Sequence, residues 1–138
     1  MVVSFIVNLL AVLVAAVANF IIGMLWYGPL FGKYWIKMMG WTTKQCEAKK
    51  KEMAKPAIVG FISGLVMSFV LANIIKFSGA VTLLEGLGIG FLAWIGFVAA
   101  IMLGSVLWEG RDVKLYILNV LCYLVSFLVM SAIFVLWI

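Results

Sequence analysis

Of the 138 residues, 67% are hydrophobic and 11% are charged, whereas soluble domains run at roughly 45–50% and about 25%. That composition excludes a soluble fold of this length and fits one lipid-solvated domain over residues 1–138. The net charge of +5 does not indicate a nucleic-acid partner, because seven of the ten basic residues fall between Lys33 and Lys55. A basic block beside a membrane span is first an orientation signal and second an attractor for anionic lipid headgroups.

Histidine is absent, and Cys46 and Cys122 stand far apart, one in a polar loop and one in an apolar segment. The commonest metal and haem ligand and the usual near-neutral proton carrier are therefore missing. No disulfide framework or metal-ligand spacing follows, and no cofactor is expected.

The first apolar run covers about residues 4–27, long enough to cross a hydrocarbon core of roughly 30 Å. Ala16, Val17 and Ala18 resemble a signal-peptide cleavage site. However, the first four residues carry no basic side chain and the run continues past Ala18, so a retained span is expected. The loop at about residues 28–56 contains a helical stripe of Leu30, Phe31, Tyr34, Trp35 and Met38, with Lys33 and Lys37 off it. This predicts a short amphipathic helix in the headgroup region, ended by Gly40. Thr42 with Gln45 forms a capping-box pattern, and Glu47 precedes Lys51 by one turn, so a second, polar helix should follow. Pro56 fits the first turn of the next span.

Further spans are predicted at about 57–77, 87–108 and 114–138, giving an all-α, integral membrane four-helix bundle. The connection at 109–113 is a tight polar turn, and short connections force antiparallel neighbours. The loops after spans 1 and 3 carry nine Lys/Arg, counting Lys114, against Lys76 alone on the other side. The positive-inside rule puts loops 28–56 and 109–113 in the cytoplasm and both termini outside, in a multi-pass cell-membrane protein. Trp26, Tyr27, Tyr34, Trp35, Trp41, Trp108 and Tyr116 gather at the inner interface, and Trp137 marks the outer one.

No Asp, Glu, Lys or Arg falls in the central part of any span, so the usual sign of a proton relay or ion path is missing. The small multidrug-resistance transporters share this size and span count but depend on a glutamate in the first span, where this chain has none. Asn8, Asn19, Asn73, Asn119 and Tyr123 are candidates either for interhelical hydrogen bonds or for the polar lining of a solute path. Small residues at four-residue spacing mark candidate packing faces: Gly60 with Gly64, Gly86 with Gly90, and Gly96 with Ala100 and Gly104. The five carboxylates, Glu47, Glu52, Glu85, Glu109 and Asp112, form no buried pair by position, and no nucleophile has a histidine base. An enzyme is not expected.

The stretch Gly23-Met-Leu-Trp26-Tyr27-Gly28-Pro29-Leu-Phe31-Gly32-Lys-Tyr-Trp35 resembles the first-span motif of an uncharacterised four-span family, domain of unknown function 1761. Trp94-Ile-Gly96-Phe97, Leu107-Trp-Glu109-Gly110-Arg111 and Lys114-Leu-Tyr116 resemble its third and fourth spans. The resemblance implies four spans over nearly the whole chain and brings no mechanism with it. Two functions remain in competition. One is a small subunit or scaffold docking onto a larger membrane assembly or onto copies of itself. The other is a homo-oligomeric channel or transporter for a small solute.

Overall fold

The computed structural model describes residues 8–137. The expected start of the first span at Ser4, and the termini Met1 and Ile138, lie outside the described residues. Among the described residues eight α-helices follow one another: α1 (Leu9–Leu25), α2 (Gly32–Met39), α3 (Thr43–Lys51), α4 (Ala54–Ser78), α5 (Leu83–Trp94), α6 (Ala100–Met102), α7 (Gly104–Leu107) and α8 (Val113–Leu136). Two single π-helical turns, Trp26–Leu30 and Ile95–Ala99, extend α1 and join α5 to α6. The helices long and apolar enough to cross a membrane are Leu9–Leu30, Ala54–Ser78, Leu83–Leu107 and Val113–Leu136. The fold is an all-α membrane bundle of four spans.

Local chemistry sets the helix ends. Asn8 caps α1 through its side-chain oxygen, which accepts from the backbone N–H groups of Leu10 and Ala11. Thr82 caps α5, and Asp112 caps α8. Thr42 and Gln45 form the reciprocal capping box at the start of α3, and Pro56 falls in the first turn of α4. The capping side chains satisfy donors that a helix start leaves unpaired, and Pro56 has no N–H to leave unpaired there. Gly40 and Gly79 end α2 and α4 with φ of 71° and 76°, a left-handed conformation that costs glycine nothing.

The fourth span is the core of the bundle. Within its most apolar stretch 44% of residues are buried, against 17% for the third span. Helix α8 touches α1, α4 and α5, and its Phe127, Met130 and Phe134 meet Ala11, Ala15, Leu71 and Ile75 in one cluster. Small residues on α1 let α4 come close, and the Ser68 hydroxyl donates to the Val12 carbonyl at 2.8 Å across that seam. On the other side, the α5 backbone presses against α8. A methyl group on Gly86 would lie 2.1 Å from Val135 Cγ2, and one on Gly90 would lie 2.2 Å from Ser131 Oγ. In lipid, where no hydrophobic force drives helices together, such close approach supplies the dispersion contact.

Candidate functional site

The N-terminal half of α8 collects hydrogen bonds from both π-turned spans. Proline at position 29 has no N–H to continue the α-helical ladder, and the first span widens there. The Phe31 N–H reaches back five residues to the Trp26 carbonyl at 2.9 Å. The chain then turns into α2 so tightly that a Cβ on Gly32 would lie 2.8 Å from the Tyr27 carbonyl oxygen. This turn aims two side chains at α8. Trp26 Nε1 donates to the Leu118 carbonyl at 3.1 Å, and the Tyr27 hydroxyl donates to Asn119 Oδ1 at 2.6 Å.

The third span does the same from the opposite side. Trp94 Nε1 donates to the Val120 carbonyl at 2.7 Å, just before the π-turn at Ile95–Ala99. Within that turn the Ala99 carbonyl accepts from the Tyr116 hydroxyl. Residues 116–120 of α8 therefore join spans 1 and 3 through four aromatic side chains. π-turns within longer helices concentrate at functional sites, and an indole or phenol buried in lipid must find a partner.

An aromatic file runs outward from this clamp. Tyr27 meets Trp35 with ring centroids 5.1 Å apart, Trp35 meets Trp41 at 4.8 Å, and Lys49 Nζ stands 4.2 Å over the Trp41 ring. Trp26 also tilts against Phe31 at 4.7 Å. The first-span motif thus has three tasks. Its aromatics clamp α8, its proline widens the helix, and Gly32 permits the turn.

Within the chain the asparagines have separate local contacts. Asn8 is exposed, and its side chain caps α1. Asn19 Nδ2 lies against Gly64, where an added Cβ would sit 2.9 Å away. Asn73 is buried and donates to the Phe69 carbonyl of its own helix at 2.8 Å. Asn119 is engaged by Tyr27, and Tyr123 is 38% exposed on α8. Asn73 Oδ1, Ser126 Oγ and Ser131 Oγ are buried without a hydrogen-bond partner among the described residues. Ser131 Oγ lies where a Cβ on Gly90 would be 2.2 Å away.

The small-residue faces also separate. Gly64, Gly86 and Gly90 sit in close helix contacts, whereas Gly60 and Gly96 have nothing within 4 Å of an added Cβ. Gly96 and Ala100 are exposed, and Gly104 is half-buried with only Trp108 of its own turn nearby. The single four-residue stripe expected for Gly96, Ala100 and Gly104 is therefore broken. A π-turn inserts an extra residue, and a further break at Leu103 separates α6 from α7, so steps of four no longer stack on one line.

Three of the carboxylates have local roles. Glu85 accepts from the Thr82 hydroxyl at 3.0 Å, Asp112 caps α8, and Glu109 pairs with Arg111 at 3.2 Å across the turn at Gly110. Among the described residues, no group of three or more His, Cys, Asp or Glu could hold a metal ion.

The role of Trp94 was not anticipated from the residues. The available signal was its depth: an indole N–H near the middle of a span has no water to bond, so a backbone carbonyl had to lie beside it. The carbonyl it uses depends on helix packing, which only the tertiary arrangement supplies. Comparison with curated proteins gave no match, and comparison with solved structures gave none either. The family described as protein of unknown function (DUF1761) matches residues 10–135, a stretch that includes both π-turns, the aromatic clamp and all but the last residue of α8. With a match over nearly its whole length, this chain of four apolar spans belongs to the DUF1761 family.

Proposed function

We propose that the chain is a non-enzymatic membrane subunit that docks onto another membrane chain through the outward face of its third span, with both termini outside and the lysine-rich loop in the cytoplasm. The supporting observation is the state of that span. It is the least covered of the four, and it exposes Gly96 and Ala100 beside Phe97 and Ile101, which are 69% and 67% exposed. Small residues next to large apolar ones make a notched surface that a second helix can enter. A pore reading gains no comparable support, because the polar side chains of the spans are dispersed among separate partners.

The test compares two substitutions that add the same kind of bulk at exposed small residues. Ala100→Leu should shift the mass of the particle in native lipid toward the lone chain, while Gly60→Leu on the second span should leave it unchanged. A particle mass unaffected by Ala100→Leu would overturn the docking face. Solute flux through liposomes containing the purified chain would replace the scaffold with a pore.

A further inference from the structure

We propose that the arm between the first and second spans seats on an anionic lipid surface, with Lys33 and Lys37 of α2 and Lys44 and Lys51 of α3 as its headgroup contacts. This surface is separate from the third-span face and does not depend on it.

Three observations lead to it. First, residues 33–55 carry seven lysines and two glutamates, a net +5 (seven minus two) that equals the charge of the whole chain. Second, α3 buries none of its residues, so no apolar face holds it to the bundle. It is placed instead by the aromatic file, which ends with Lys49 over Trp41 at 4.2 Å. At about 100° per residue, Lys44 and Lys51 share the side of α3 opposite Lys49 and so point away from that anchor. On α2, Lys33 and Lys37 are one turn apart and both exposed.

Third, large apolar side chains stand exposed among these lysines: Leu30 at 59%, Tyr34 at 63% and Met53 at 59%. Basic and apolar groups interleaved at the end of a span match the headgroup–acyl boundary, where phosphates meet the lysines and hydrocarbon meets the rest. An acidic protein would satisfy the lysines and leave the apolar groups in water. The chemistry therefore favours lipid.

The full-length chain in neutral detergent is titrated with phosphatidylglycerol or with phosphatidylcholine, and retained lipid is counted by native mass spectrometry. The chain should retain phosphatidylglycerol in preference, and added salt should shrink that preference. A lysine near an anionic surface contributes about 1 kcal/mol, so each Lys→Gln change at positions 33, 37, 44 or 51 should cost about fivefold in phosphatidylglycerol affinity and nothing in phosphatidylcholine affinity. All four side chains are exposed, and an unchanged helical signal checks that the variants fold. Should the fourfold variant fail that check, Lys44→Gln with Lys51→Gln changes only α3, which no core residue depends on, and should cost about 25-fold. Equal retention of the two lipids, or a folded variant that keeps its preference, overturns the proposal. Displacement of phosphatidylglycerol by soluble polyglutamate at matched charge also overturns it, in favour of an acidic protein partner.

Discussion

The contact between spans 3 and 4 makes a sharp demand on one atom, and Gly90→Ala tests it. The added methyl would lie 2.2 Å from Ser131 Oγ, 3.0 Å from Ser131 Cβ and 3.1 Å from the Phe127 carbonyl oxygen. The hydroxyl can rotate away, since it has no hydrogen bond to lose among the described residues. The Cβ and the carbonyl cannot, because both belong to the frame of α8. Relief therefore requires α5 to back off by a few tenths of an ångström along a seam that also holds Gly86 against Val135. Overpacking of this kind costs typically 1–3 kcal/mol, and exchanging glycine for alanine inside a helix returns roughly 0.5–1. The net expectation is a loss of about 1 kcal/mol, within a range of roughly 0–2.5. Reversible unfolding in mixed micelles, followed by tryptophan fluorescence, would measure it. Gly88→Ala, two residues away with nothing within 4 Å, is the control and should be neutral or slightly stabilising. The reasoning fails if Gly90→Ala is as stable as Gly88→Ala.

Two other outcomes follow from the geometry. Tyr27→Phe and Asn119→Ala each remove the same 2.6 Å hydrogen bond, so a double-mutant cycle should give a coupling of about 0.6 kcal/mol, the usual size inside membranes; strictly additive losses would show that the bond contributes nothing. For orientation, a cysteine at Val81, which is 73% exposed between the second and third spans, should react with a membrane-impermeant reagent applied outside intact cells. A cysteine at Lys50 should stay protected under the same conditions, and the reverse pattern would invert the topology.

Much of this architecture is written in composition and local chemistry. Four spans follow from the length of the apolar runs, because lipid accepts only segments whose backbone bonds close internally. The amphipathic helix ending at Gly40 and the Thr42–Gln45 capping box depend on residues only a few positions apart, so they too were legible before any fold was known. The motif around Trp26 and Pro29 marked the family, which matches residues 10–135.

The tertiary structure decided which faces meet. Hydropathy cannot orient a helix that is apolar all round, since lipid and a neighbouring helix are equally apolar. That is why Gly86 and Gly90 could not be told from Gly60 and Gly96 by spacing, although the first two are pressed against α8 and the other two meet nothing. The same limit hid the four-point clamp on residues 116–120. Tryptophan and tyrosine announce that a partner is needed, but the carbonyl each finds is set by the packing of helices distant in sequence. The π-turn at Ile95–Ala99 lacks even a proline to signal it. It changes the helical register by one residue, and with that step it turns Gly96 and Ala100 out of the bundle.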